Sequence, residues 1–327
     1  MPFEQPRGRV SIDGVAVPGL VSLQVVAGGY FMAGRFRAGF ALGADVAFGA
    51  DYFSALTNQS VVIEAAPAGV GYNALLMGRV DSIRIDWLHR LVIVCGRDLT
   101  GLLIDTEIAE SFVNQTASQI AVTIAGRHGL TPDVTSTAGL VGQYYQLDHA
   151  RTALGVNARV TTEWDLLTAL ALAEGFVVSV AGDALNFGPP PAVMPVFLTP
   201  QNFMTMSFDM IVAMPGAVTA KSWNCRTKSV VAGTQGAGLT TTIIRPNLVQ
   251  AQAERLAQGH LRMLGQHRMV LQGMMPGDVT LLPGMQIELA GTNSGLDQGY
   301  VVDAVTRRLD GKGGFFQDLM AHAVVVA

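Results

Sequence analysis

The chain has 327 residues, with 21 Lys plus Arg against 25 Asp plus Glu and a formal net charge of −4. Half of it is hydrophobic and only 14% is charged, against about 25% in an ordinary soluble domain. This composition excludes a disordered chain and a nucleic-acid binder that works by phosphate neutralisation, which would carry a basic excess. Charge keeps a free surface soluble, so the shortfall predicts that other subunits cover much of this one.

At about 100–200 residues per domain, the length predicts two or three domains. Cys95 and Cys225 are the two cysteines, too few for a disulfide framework or a Cys-based zinc site. Cys95 lies inside the apolar run LVIVCG and reads as a reduced core thiol. The opening MPFEQPRGRV lacks the apolar run of a signal peptide. The charge-free stretch from Ala184 to Phe208 contains Pro189, Pro190, Pro191, Pro195 and Pro200, which no spanning helix tolerates. The expectation is a soluble protein made in a reducing cytoplasm.

The first hundred residues read as β. Apolar stretches VAVPGLVSLQVV, FRAGFAL, SVVIEAA, LLMGRVDSIRI and RLVIVCG recur between Gly-rich breaks, the pattern of a barrel or sandwich. Broken alternation in VDSIRIDW predicts a bulge, and Pro18 suits an edge or a strand start. Thr116 then caps a helix to about His128, with Ile120, Ala121, Ile124 and Ala125 on one face and Gly129 as the stop. A second helix starts from a Thr162 and Asp165 cap, carries Trp164, Leu167, Leu170 and Ala171, and ends at Gly175. FVVSV and ALNFG form a hairpin turned at Gly182-Asp183.

Pro189-Pro190-Pro191 reads as a stiff linker. β character resumes to about Ile244. One more helix runs from an Asn247 cap to about Leu264, with Val249, Ala253, Leu256 and Met263 as its buried stripe. VTLLPGMQIELAG, GYVVDAVTRRL and AHAVVV close the chain as strands. The reading is mainly β with an α/β insert: residues 1–100 and 189–327 as two similar β units, and 101–188 between them.

A weak repeat connects the two β regions. Ile63-Glu64-Ala65-Ala66 and Val80-Asp81-Ser82-Ile83 recur as Ile287-Glu288-Leu289-Ala290 and Val302-Asp303-Ala304-Val305, in the same order. Similar strand–turn–strand segments arise by coincidence, and duplication of one β unit is the other explanation.

No catalytic constellation emerges. There is no GxxxxGK[ST], HExxH or GxSxG. Gly233-Thr234-Gln235-Gly236-Ala237-Gly238 lacks the lysine of a phosphate cradle and reads as a mobile loop. His260 and His267 are separated by Gly265 and have no third partner in register for a metal. Asp105, Glu107 and Glu110 read as exposed acids just before a helix. His128 suits a helix end, while His89, His149 and His322 have no sequence-near partners. Among the basic residues only Lys221, Lys228 and Lys312 are lysines. That bias fits interfacial ion pairs and equally fits a GC-rich genome. The expectation is a non-enzyme with no cofactor and no metal.

The segments GRDLTGLLID (96–105), SQIAVTIAGRHGL (118–130) and the run QLDHARTALGVNARVTTEWDLLTALALAEGFVVSVAGDALNFGPP (146–190) together resemble the late-control gene D and baseplate-hub family of tailed phages. So do Gln252-Ala253-Glu254, PGDVTLLPGMQIELAG (276–291) and GYVVDAVTRRLD (299–310). Arg307 and Arg308 stand where that family usually has a histidine, so no metal site is carried over. Relatives of the module occur in type VI secretion spikes and gene transfer agents.

The resemblance implies two tube-like β-barrels per chain and a homotrimer that forms a pseudo-sixfold ring. It implies a virion hub at the tail tip or baseplate, adapting a hexameric tail tube to a trimeric central spike. A tail-tube or distal tail protein, the spike and a tape-measure protein would be partners, with DNA passing through without specific binding. Such a channel should be neutral or acidic, because a basic lining would hold phosphates. Glu64, Asp81, Glu288 and Asp303 are the lumen candidates. The competing reading pairs these acids with Arg79, Arg84, Arg307 and Arg308. Two other function classes are weighed: a cell-wall-degrading tail enzyme, which needs more length and catalytic residues, and a carbohydrate-binding adhesin, for which only Tyr144-Tyr145 offers clustered aromatics.

Overall fold

The computed structural model describes residues 5–110, 112, 114–141, 161–191, 194–212, 214–224, 228–245, 248–265, 268–311 and 314–324. The first part holds β1 (Arg7–Ile12), β2 (Val15–Ala16), β3 (Leu20–Gly28), β4 (Arg35–Ala41), the short helix α1 (Ala50–Ser54), β5 (Ser60–Ala66), β6 (Asn73–Asp86) and β7 (Leu91–Asp98). Alternate residues of these strands turn inward, as a half-buried pleated sheet requires. Val25, Phe36, Ala38, Phe40, Ile63, Val92 and Val94 make their core.

Pro18 precedes β3, at a strand start. The bulge expected in VDSIRIDW lies at Asp81: Val80 pairs with Gly96 and Ser82 with Cys95, leaving Asp81 over. Cys95 is half-buried rather than a core thiol. Its neighbours Val94 and Gly96 take the inward positions, so alternation turns Cys95 to the other face.

The middle part contains α2 (Thr100–Asp105), β8 (Glu107–Ile108), β9 (Gln115–Thr116), α3 (Ala117–Arg127), β10 (Thr131–Val134), β11 (Leu140–Val141), β12 (Thr161–Thr162), α4 (Glu163–Glu174), β13 (Val177–Ala181) and β14 (Ala184–Gly188). Thr116 and Gln119 form a reciprocal capping box on α3. Thr162 caps α4 by accepting from Asp165 N, and Gly175 ends it at φ 72°. The Asp165 carboxylate turns to Thr161 instead of closing the box. Ala181 pairs with Ala184 around the Gly182-Asp183 turn, and Gly182 at φ 60° supplies its positive dihedral. Ile120, Ile124, Leu167, Ala171, Leu185 and Phe187 close a separate core. The helix α2 was not expected from the sequence. His149, Tyr144 and Tyr145 lie outside the described residues.

The last part holds β15 (Val196–Leu198), β16 (Thr205–Met210), β17 (Ala217–Asn224), β18 (Ser229–Gly236), β19 (Thr240–Ile244), α5 (Gln250–Gly265), β20 (Met269–Pro276), β21 (Gln286–Leu289), β22 (Gly299–Asp310) and β23 (Gly314–Ala323). Between β16 and β20 the chain makes a small unit of its own. The β18-β17-β19 sheet carries α5 over Val218, Ala220, Ala253 and Ala257.

The expected stripe on α5 is corrected there. Ala253 and Ala257 are its fully buried residues, whereas Val249 and Met263 are exposed by 49% and 38%. Small residues face the sheet because α5 sits close to it. The glycine-rich stretch also proves to be mainly strand rather than loop. A Cβ on Gly233 would lie 2.5 Å from Glu254 N, so a glycine is what lets the helix backbone approach.

One 13-stranded sheet runs β16-β20-β23-β22-β3-β4-β7-β6-β5-β1-β2, with β21 beside β22 and β15 beside β21. Its first-part order β3-β4-β7-β6-β5 recurs as β16-β20-β23-β22-β21. Registers recur as well. Gln24, Arg37, Cys95 and Ser82 form a row across four strands, and Ser207, Gln272, Met320 and Ala304 form its counterpart. The second bulge falls at Asp303, between Val302 and Ala304, at the place of Asp81. Pairing of β22 with β3 joins the two halves within one chain.

Candidate functional site

The eight strands from β16 to β6 turn apolar residues to one side and polar ones to the other. Leu23, Val25, Phe36, Ala38, Val92, Val94, Leu271, Val305, Leu319 and Ala321 are buried. By alternation the opposite face carries Arg35, Arg37, Arg84, Arg97, Arg308 and His322 together with Asp81, Asp86, Asp209, Asp303 and Asp318. Both signs interleave, so this open face is close to neutral.

The two bulge aspartates each meet a basic side chain on the adjacent strand. Arg97 Nε donates to Asp81 Oδ2 at 2.7 Å and its Nη2 to Oδ1 at 3.0 Å. The same guanidinium reaches Asp105 at the end of α2, at 3.0 and 2.7 Å, which tethers the middle part to the sheet. Hydrogen bonds to Asp81 and then Asp105 hold the Arg97 guanidinium above its ordinary pKa. His322 Nδ1 lies 2.6 Å from Asp303 Oδ1. Arg97 and His322 occupy equivalent positions, opposite Arg79 and Val301 respectively.

Glu64 and Glu288 sit elsewhere, on the flanking strands β5 and β21. Arg9 grips Glu64 through two bonds of 2.6 and 2.7 Å while lying 4.4 Å over the Tyr72 ring. That hydrogen bonding pulls the Glu64 carboxyl below its usual range. Glu288 lies opposite Gly299. Glu64, Asp81 and Asp303 are therefore bonded by Arg9, Arg97 and His322, not by Arg79, Arg84, Arg307 or Arg308. Arg308 pairs with Asp318 at 2.5 Å. Arg307 is buried and donates to the Asp278 carbonyl at 2.7 Å and to the Leu281 carbonyl. Burial pushes its pKa down to about 10.

At the sheet's meeting with the middle part, Phe31 N donates to Val178 O at 2.9 Å. A cleft of about 340 Å³ opens beside it, lined by Tyr30, Leu75, Asp98, Val180 and Leu282 among others. The Asp98 carboxylate accepts from Gly34 N at 2.6 Å and from Thr100 N at 3.0 Å. Burial outweighs those bonds and raises its pKa to about 6.

Other sequence candidates resolve into local pairs. Asp105 ends a helix rather than preceding one, and Glu110 binds Arg127 at 2.6 Å. Glu163, fully buried, takes Arg127 at 3.0 Å and also bonds His128. His89 does have a sequence-near partner, Asp86, at 2.9 Å. Among the described residues no three His, Cys, Asp or Glu side chains come together as a metal site, and no helix is long and apolar enough to cross a membrane.

No family model matches the sequence, and no curated protein matches it. Solved structures do. A tail protein from Neisseria meningitidis MC58 superposes with a TM-score of 0.76 at 15% identity, over 98% of this chain and 97% of that one. The fold is that of phage tail proteins. The 43 kDa tail protein of prophage MuSo2 from Shewanella oneidensis gives a TM-score of 0.71 at 15% identity, covering 98% of each chain. An E. coli type VI secretion component, described as similar to the T4 tail proteins gp27 and gp5, gives 0.58 at 14% identity over 97% of this chain and 77% of that one. The tail-protein fold thus extends over nearly the whole chain, middle part included.

Proposed function

We propose that this chain is a structural ring subunit of a phage-type tail, the hub at the tail tip or baseplate. The carrying observation is the doubled strand order β3-β4-β7-β6-β5 and β16-β20-β23-β22-β21, with a bulge aspartate at the same place in each. One chain then supplies two tube-like units, residues 1–100 and 189–327, with 101–188 outside them. Three chains would present six such units to a hexameric tube and three-fold symmetry to a spike. The likeness to tail proteins and to a type VI secretion component supports this placement.

In this reading the open polar face lines the channel. Its interleaved charges offer DNA no sustained positive potential. Of the four sequence candidates, Asp81 and Asp303 belong to that face, while Glu64 and Glu288 belong to flanking strands. The role is structural and includes no catalytic step. Tube or distal tail protein, spike and tape-measure protein are its expected neighbours in the virion.

Imaging of particles tests the reading. Three copies in a ring at the tail tip are expected, and a peptidoglycan zymogram should be blank. Six copies distributed along the tail, or lytic activity that tracks this chain, would reject it.

A further inference from the structure

The doubled sheet contains a template for its own continuation. In the second half, β22 splits its outer edge: Gly299–Val301 pairs with β21 and Ala304–Asp310 pairs with β3. In the first half, β6 gives Asn73–Arg79 to β5, yet Ser82–Asp86 has only β7 beside it among the described residues. The strand β16 likewise ends the sheet, paired only with β20. Because β22 corresponds to β6 and β3 to β16, the β22·β3 junction inside the chain has a vacant counterpart: β6 against β16 of another copy.

Burial differs at the equivalent positions as that vacancy requires. Val305 and Arg307, which face β3, are buried, whereas their counterparts Ile83 and Ile85 are half-buried. Leu23 and Val25 on β3 are buried, whereas Met206 and Phe208 on β16 are half-buried. Trp87, at the place of Leu309, is 61% exposed. Paired main-chain edges left bare invite a further strand.

We infer that β6 of one copy pairs antiparallel with β16 of the next in a fixed register, Ile83 opposite Met210, Arg84 opposite Asp209, Ile85 opposite Phe208 and Trp87 opposite Met206. The register is transferred from the pairs Val305–Ala27, Thr306–Val26, Arg307–Val25 and Leu309–Leu23. Fixed by the backbone alone, this register sets opposite charges together on the open face and apolar side chains together on the core face. The occupant is a second copy of this chain, head to tail, because the two edges differ and each complements the other. The inference rests on the ring reading above and adds to it the surface and register that close the ring.

Cysteine trapping tests it in full-length chain with Cys95 and Cys225 replaced by Ser. Directly opposed residues lie within disulfide reach, whereas diagonal neighbours two residues away lie about 7–8 Å apart, beyond it. At high protein concentration Arg84→Cys with Asp209→Cys should give covalent closed trimers on oxidation, and Arg84→Cys with Ser207→Cys should not. Independently, Arg84→Asp and Asp209→Arg should each weaken association about tenfold, and the double exchange should restore it. Trimers by light scattering without the in-register cross-link, or equal trapping by the off-register pair, would overturn the register and leave the ring reading intact. Cross-linked rings of any other number would keep the pairing and overturn the trimer. No association and no trapping would overturn the pairing.

Discussion

Arg97 is the residue on which the open face and the middle part both depend, and replacing it tests how the two are joined. Its guanidinium makes four charge-assisted bonds, two to Asp81 and two to Asp105. Side-chain exposure is 31% for Arg97, 35% for Asp81 and 62% for Asp105, so solvent screens the second arm more than the first. An exposed pair contributes about 0.2–1 kcal/mol, and a bidentate fork in a half-buried place contributes more. The Asp81 arm is therefore worth about 1.5 kcal/mol and the Asp105 arm about 0.5 kcal/mol. Arg97→Met, which keeps the stem, should cost about 2 kcal/mol, or roughly 4–8 °C in the sheet's melting transition. Arg97→Lys should recover less than half, since an ammonium cannot fork to two carboxylates. Urea titration with double-mutant cycles against Asp81→Asn and Asp105→Asn separates the arms. Wild-type stability in Arg97→Lys, or an Asp105 coupling larger than that of Asp81, would show that neither the fork nor its burial sets the strength of these bonds.

Three other outcomes follow from the same structure. Asp98 titrates at about 6 when folded against about 3.9 in an unfolded chain. The native state then holds a proton that the unfolded state has lost, so stability should fall by up to about 3 kcal/mol as pH rises from 4 to 6.5; Asp98→Asn should flatten that slope, and an unchanged slope would contradict the assignment. Glu163→Ala should cost about 2–3 kcal/mol by urea unfolding, because it leaves His128 without its partner beside a buried vacancy while Arg127 keeps Glu110; a loss under about 1 kcal/mol would show the cluster to be solvated. Gly233→Val drives a side chain into the α5 backbone and should cost at least about 2 kcal/mol, with faster hydrogen exchange confined to residues 217–265; exchange rising equally in β3 and β4 would refute the view of that unit as separately packed.

Local signals in the sequence were readable where local physics decides the structure. Thr116, Thr162 and Gly175 act through hydrogen bonds and dihedrals within one turn, so their helix ends were legible. The broken alternation at Asp81 announced its bulge, whereas the second bulge, at Asp303, emerges only from the strand register. Partners were not legible, because they are set by sheet order: Arg97 is 16 residues from Asp81, and His322 is 19 from Asp303. Arg79 and Arg84 are nearer in sequence to Asp81 but do not supply its fork. Gly233 misled for a related reason, since a glycine that admits a helix and a glycine that loosens a loop look alike until the helix is placed. Val249 and Met263 misled because α5 packs by its smallest residues.

In the proposed ring, each of three copies contributes two equivalent units and turns its polar sheet face inward. Electron cryo-microscopy of assembled tails, resolving the tip, tests it most directly. Three copies are expected, with six quasi-equivalent bulges, Asp81 and Asp303 alternating around the lumen, and β6 of each copy seated on β16 of the next. Five or six copies, or three copies whose Asp81 and Asp303 face the outside of the tail, would contradict it.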